Sequence, residues 1–446
     1  MAKKIKRRER DTIIQALRAG VVPKVGLQYI QVGRVNEIKE LVKDIERIGE
    51  GGSAIRFIIG DYGSGKTFFL NLVRLIAIEK GLVVMGADLA PDRRLHASAG
   101  QARGLYAEMA RNLSTRTKPE GGALSSIVER FVTKANQEAE EKGLQTGQVI
   151  RTRLEHFEEM TGGFEFAEVV RKYWEAYETD DDDLKSACMR WLRGEFATKT
   201  DARKALGVRT IVDDKNVYDH LKLMSAFVCA AGYNGLMVSL DEMVNLYKLT
   251  SSQARNSNYE QILRILNDVL QGTASHIGFL MGGTPDFLLN TRRGLYSYEA
   301  LQTRLAENQF AKNGLIDLSG PVITLANLTP EDMRVLLENI RSIMQEPETM
   351  IPDEALDSFM HHCSNRIGEA YFKTPRNTVT AFVNLLSILE QNPGTNWANL
   401  IEAIEVAPDG GDDLSDIVDE DEDRGGIGSG AALDSEDEDD LASFKL

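Results

Sequence analysis

The sequence has little of three things, and each scarcity narrows the reading. No apolar run approaches the ~18–20 residues that a helix needs to cross a bilayer, so no membrane span is expected. Cysteine occurs three times in 446 residues, at Cys188, Cys229 and Cys363. An odd, widely spaced set argues against a disulfide framework and for a reducing, cytoplasmic setting. The opening MAKKIKRRERDT is basic but lacks the apolar segment of a secretory signal. Also missing are an HExxH, a paired CxxC and a nucleophile elbow. His361-His362-Cys363 has the residue types of a metal site, yet adjacent residues on a helix point in different directions.

What is abundant is acid, and it is unevenly placed. The net charge is −16, but the stretch from Asp409 onward holds fifteen acidic residues against Arg424 and Lys445. That stretch carries −13, leaving about −3 for the first 408 residues. The body is therefore nearly neutral, and total charge is no argument against a nucleic-acid partner. The basic start (Lys3, Lys4, Lys6, Arg7, Arg8, Arg10) has the composition that meets phosphate backbones, or of a solvated end. A second basic group follows at Arg93, Arg94, Arg111, Arg116 and Lys118.

The length predicts two or three domains. Short apolar runs at 54–60, 82–89, 235–242, 276–283 and 322–328 read as strands, with helical patterns between them. The fold class expected is α/β, with a parallel sheet and a large helical insertion at about 105–232, between the second and third strands. Four regions follow: a basic N-terminal helix and leading segment over 1–50, the α/β core over 51–330, a helical region over 331–405, and an acidic tail over 406–446. Thr329-Pro330-Glu331 marks a helix start. The tail is poor in groups that bury a core and reads as disordered. Its end, LASFKL, reads as a frayed terminus or a short docking peptide.

The chemistry begins at GDYGSGKT, residues 60–67. Gly60, Asp61, Tyr62, Gly63, Ser64 and Gly65 lie between a strand and a helix that opens with Lys66, Thr67 and Phe68. A phosphate needs this arrangement: glycines permit a tight loop, its N–H groups converge, and the helix N-terminus adds positive potential. Lys66 is placed for the β- and γ-phosphates of ATP or ADP, and Thr67 for Mg²⁺. The apolar strand ending in Asp241-Glu242 supplies the partners. Asp241 belongs with Thr67 around Mg²⁺, and Glu242 is the candidate to polarise attacking water. Two carboxylates with separate tasks favour hydrolysis.

Other residues have two readings each. Thr284, at the end of the fourth strand, is a γ-phosphate sensor or a helix N-cap. Arg292, Arg293 and Arg304 compete as a finger that completes a neighbouring subunit's site, with Arg304 favoured. Arg376, at a helix start, folds back onto bound phosphates or is a solvated first-turn residue.

Together these motifs resemble the AAA+ ATPases of the initiator/Cdc6-like branch, through Gly33-Arg34 and Glu37, GDYGSGKT, LMVSLDE and VITLANLTPED. That resemblance places Val32, Gly33 and Arg34 near the adenine and makes 331–405 a helical lid. A closer likeness lies in RFIIGDYGSGKTFFL, ADLAPDRRLHASAGQARGLYAEMARNLSTRT and LDEMVNLYKL. These are similar to the ATP-binding protein family of BREX phage-defence systems, often called BrxD, over roughly 10–400. The likeness implies an oligomeric ATPase acting with DNA and an Lhr-like helicase or other defence proteins. The alternative is a slowly hydrolysing switch or scaffold, or an ATPase whose helical insertion senses an invader product.

Overall fold

The computed structural model describes residues 5–311, 317–345, 350–367 and 375–403, all within the compact unit Met1–Asp409. The acidic tail with its LASFKL end, and Lys3 and Lys4, lie outside the described residues.

Five strands form one sheet: β1 (Ser53–Ile59), β2 (Val83–Asp88), β3 (Leu236–Asp241), β4 (Ile277–Gly283) and β5 (Val322–Thr324). Their order is β2-β3-β4-β1-β5, and every pairing is parallel. Strands β1 and β4 are buried along their whole length. That is why they read as unbroken apolar runs, as strands covered on both faces must. Because β4 lies between β1 and β3, the loop leaving β1 and the acidic end of β3 flank the end of β4.

Helix α1 spans Arg7–Arg18, α2 Val35–Gly49 and α3 Lys66–Glu79. One face of the sheet is covered by α2 and α3: Leu41, Ile45, Phe69, Leu70 and Val73 pack with Ile58, Val84, Met237 and Leu280. The same face carries a buried ion pair. Arg56 on β1 donates through Nε to Asp44 Oδ2 at 2.6 Å and through Nη1 to Leu318 O at 2.7 Å. It thus ties α2 to the segment that enters β5.

Between β2 and β3 run α4 (Gln101–Arg111), α5 (Leu124–Lys142), α6 (Thr146–Leu154), α7 (Gly163–Glu178), α8 (Asp182–Leu192), α9 (Lys199–Leu206) and α10 (Val217–Ala230). They bury their own aromatic cluster, in which Phe166 meets Phe157, Trp191 and Phe227 at ring separations of 5.8, 6.1 and 5.6 Å. The start of α4 is capped from a distance. Asp214 accepts from the N–H of Gly100 at 2.7 Å and of Arg103 at 2.9 Å. Tyr218 of α10 packs on Phe279 of β4 at 6.2 Å. Phe279 alternates with Leu280, so α10 lies on the sheet face opposite α2 and α3.

Beyond β3 come α11 (Val244–Tyr247) and α12 (Ser252–Leu270), then α13 (Pro285–Leu289) and α14 (Glu299–Leu305) after β4. The helical region after β5 consists of α15 (Pro330–Met344), α16 (Asp353–Ile367), α17 (Pro375–Gln391) and α18 (Trp397–Glu402) among the described residues. Helix α15 begins where Thr329-Pro330 predicts. Thr329 Oγ1 accepts from Asp332 N at 3.1 Å, and Asp332 Oδ2 in turn accepts from Thr329 N at 3.2 Å.

Helix α1 packs into this same C-terminal core. Ile13 is fully buried in one cluster with Phe359, Phe382 and Leu386. Arg10 donates to Met344 O at 2.7 Å, Arg18 to Ser387 Oγ at 2.5 Å, and Thr380 Oγ1 to Leu17 O at 3.1 Å. The first described helix thereby meets α15 and α17, which no local pattern announces.

Candidate nucleotide site

A cavity of about 240 Å³ opens at the carboxyl ends of the strands, the end at which parallel α/β sheets bind ligands. Residues Tyr62–Phe69 form its floor, and Asp241, Glu242, Gly282, Gly283 and Thr284 one side. Leu17 and Gly20–Pro23, then Ile30–Val32 and Arg34, form the opposite wall, closed by Leu336, Arg376 and Val379. One end of the cavity is therefore polar and the other apolar.

The loop owes its shape to two glycines for different reasons. Gly65 precedes α3 at φ +83, a conformation that favours glycine, although a side chain would meet nothing there. Gly60 is required by space: an added Cβ would meet Ser64 Oγ at 2.4 Å. Lys66 opens α3 and donates to the carbonyls of Gly60 and Asp61, both at 2.9 Å. Its ammonium lies 5.4 Å from the Tyr62 ring centroid.

On the acidic side, Thr67 Oγ1 donates to Asp241 Oδ2 at 2.7 Å, and Glu242 N donates to Asp241 Oδ1 at 2.9 Å. Asp241 is buried, and Gly282 on the neighbouring strand gives it room, since a Cβ there would meet Asp241 Oδ1 at 2.4 Å. Glu242 sits at φ +57, one of four non-glycine residues at positive φ among the described residues. Such backbone is retained where its surroundings over-determine it. Glu242 is exposed where it lines the cavity, while Asp241 is buried.

Charge in the cavity is poorly hydrated. Burial lowers the pKa of Lys66, with Asp241, Glu242 and Asp61 opposing. Burial likewise lowers that of Arg34, against Glu37 and Asp332. Loss of hydration raises the Glu242 carboxyl, helped by Asp241 and Asp88. Two desolvated cations beside the N-terminus of α3 suit an anionic ligand.

The predicted residues are distributed as follows. Tyr62, Gly63, Ser64, Gly65, Lys66, Thr67, Phe68, Val32, Arg34, Asp241, Glu242, Thr284 and Arg376 all line the cavity. Gly60, Asp61 and Gly33 are not among the lining residues; an added Cβ on Gly33 would meet Asp332 Oδ1 at 3.2 Å. Thr284 is buried and its hydroxyl accepts from Phe287 N at 3.3 Å, so it caps α13 and also faces the cavity. Arg304 is exposed on α14, bonded at 2.8 Å to Ala300 O of its own helix, away from the cavity. Arg293 donates to Leu249 O at 3.1 Å and Arg292 is exposed.

Two contributors were not predicted. Asp88 ends β2 in register with Asp241; loss of hydration and the nearby Asp241 raise its pKa, with Arg93 opposing. An acid closing a strand is its only sequence signal. The wall 20–23 gave none.

The family model described as BREX system ATP-binding protein BrxC/D matches residues 5–405. The chain belongs to this family. Membership points to an ATP-binding component of phage defence that works alongside other proteins of the BREX system. No curated protein matches the chain at a significant level. The span matched in this BrxC/D-family protein includes α1, the sheet, the helices between β2 and β3, and the helices after β5. No described helix is long and apolar enough to cross a membrane.

Proposed function

We propose that this protein is a Mg²⁺-dependent ATPase of the AAA+ kind, active as a homo-oligomer with DNA and a partner helicase in phage defence. The observation that carries the reading is the pairing of Thr67 with Asp241 across the end of β4, with Glu242 exposed in the same cavity. Loop 60–67 then cradles the triphosphate as a P-loop, and Lys66 leaves the loop carbonyls for the β- and γ-oxygens.

Thr67 and Asp241 fit a hard, oxygen-seeking cation. Among the described residues no group of three or more His, Cys, Asp or Glu side chains is placed to hold a metal. That suits Mg²⁺, which takes one or two protein ligands and fills its shell from phosphates and water. When bound, the ion supplies charge neutralisation at the β- and γ-oxygens. Glu242 orients the attacking water, Thr284 faces the γ-phosphate, and Arg376 reaches the phosphates from the C-terminal helices. The apolar wall of Leu17, Val21, Val22, Val32 and Val379 takes the adenine.

The DNA-facing element is α1, whose Arg7 and Arg8 are exposed. Arg8 pairs with Glu120 at 3.8 Å, and three residues of the second basic group are also engaged by acids: Arg93 with Asp92 and Glu108, Arg111 with Glu108, and Arg116 with Glu79. A switch that hydrolyses slowly is the second reading; Arg304 lies off the cavity of its own chain, as a finger acting on a second copy also would.

ATP turnover by the parent and by Glu242→Gln decides between them. A motor loses turnover by about 100-fold or more in the variant while still binding ATP. Negligible parental turnover, with an ATP-dependent change in size or partner binding, selects the switch. No ATP binding at all overturns both.

A further inference from the structure

One carbonyl of loop 60–67 is held by a side chain from outside the loop. Arg34 Nη2 donates to Ser64 O at 2.6 Å and to Ala326 O at 3.1 Å. Ser64 O belongs to the Ser64–Gly65 peptide, which is planar and trans, so its C=O and N–H point in opposite directions. Drawing the carbonyl toward Arg34 therefore turns the Gly65 N–H away from it. That N–H stands at the threshold of α3, where a helix start offers donors to an anion.

Ala326 lies between β5 and α15. The same nitrogen thus joins the phosphate-side loop to the chain that leads into the C-terminal helices. Arg34 itself is held tightly. It occupies φ +58 at the start of α2, and its guanidinium lies 6.0 Å from the Phe69 ring centroid. The preceding Gly33 lies against Asp332, whose carboxylate closes the cap of α15.

From this geometry we propose that Arg34 is a positioning residue. It orients the Ser64–Gly65 peptide for a triphosphate and couples that orientation to the base of the C-terminal helices, instead of reading the nucleobase. The proposal rests on the nucleotide reading above and assigns Arg34 a role that nearness to the adenine does not. Val32 remains on the base side; the Nη2 donors of Arg34 are spent on backbone carbonyls.

The test compares ATP, GTP and inorganic tripolyphosphate, in the presence of Mg²⁺, on the full chain and on Arg34→Met and Arg34→Ala. Methionine keeps an apolar stem over Phe69 and removes the donors, so it covers the case in which alanine does not fold. Loss of a charge-assisted hydrogen bond is expected to weaken ATP about tenfold. Tripolyphosphate, which has no base, weakens by the same factor, and the ATP-to-GTP affinity ratio stays as in the parent.

A shifted ATP-to-GTP ratio, or tripolyphosphate unchanged while ATP weakens, makes Arg34 a base contact and overturns the proposal. So does parental affinity for all three ligands in a folded variant. A parent chain that binds none of the three overturns the nucleotide reading, and this proposal with it.

Discussion

The Thr67 hydroxyl donates to Asp241 Oδ2 at 2.7 Å, while Asp241 Oδ1 takes the N–H of Glu242 at 2.9 Å. One carboxylate thereby fixes both the first turn of α3 and the backbone that carries Glu242. Gly282 makes space for it. Gly282→Ala is therefore expected to displace Asp241 and lower Mg²⁺-dependent turnover by about tenfold or more, with far-UV circular dichroism unchanged. Parental turnover in this variant would show that the Asp241 position is not critical.

The pH profile follows from Glu242. Loss of hydration first, then Asp241 and Asp88, raise its pKa. As pH falls the free-enzyme carboxylate is protonated earlier than an ordinary glutamate, so the acid limb of kcat/KM lies at higher pH than an ordinary glutamate would set. Asp88→Asn removes one like charge but leaves the desolvation, and the limb moves part of the way to lower pH. The stability consequence has the opposite sense to a salt bridge. A carboxylate whose folded pKa is raised contributes stability below its unfolded pKa and loses it as pH rises through the folded value. Asp88, itself raised, is thus unfavourable at neutral pH, and Asp88→Asn should unfold at slightly higher denaturant at pH 7. An unmoved acid limb would refute the coupling between the two acids.

Asp44 and Arg56 are both buried, with Nε–Oδ2 at 2.6 Å. Removing Asp44 leaves the buried Arg56, which also holds the Leu318 carbonyl, with the more distant Glu40 Oε1 at 3.6 Å as its acidic partner. Asp44→Ala is expected to cost up to about 3–5 kcal/mol in denaturant unfolding. The double variant Asp44→Leu/Arg56→Met should recover much of it. A loss of under about 1 kcal/mol in the single variant would mean that water reaches the pair.

Arg304 is exposed and bonded only to its own helix among the contacts described. If it completes the site of a second copy, Arg304→Ala lowers turnover steeply while ATP affinity changes little. Mixing the variant with parent then lowers activity more than in proportion to its share. Proportional dilution across the mixing series would rule out a shared site.

Much of the site was legible because its signals are local. Loop 60–67 is contiguous, and its glycines, Lys66 and Thr67 are set by strand-to-helix geometry. Asp241-Glu242 closes an apolar run, and Thr329-Pro330 starts α15 through a cap of three residues. The least legible part was the apolar wall. Gly20–Pro23 carries no chemistry of its own, and it reaches the cavity only because α1 crosses to the C-terminal helices. Asp88 was overlooked for a similar reason. Its neighbour Asp241 is 153 positions away and becomes adjacent through strand register alone.

The amino-acid sequence by itself therefore determined the strand positions, the loop 60–67 between β1 and α3, and the acidic pair, since each depends on backbone conformation within a few residues. Tertiary structure alone decided which side chains share one cavity. It placed β4 between β1 and β3, brought α1 onto α17, and turned Arg34 toward Ser64 and Ala326 and not toward open space. Periodicity and spacing encode which face of an element is apolar, whereas the partner of that face is chosen by long-range packing and by the need to satisfy buried carbonyls.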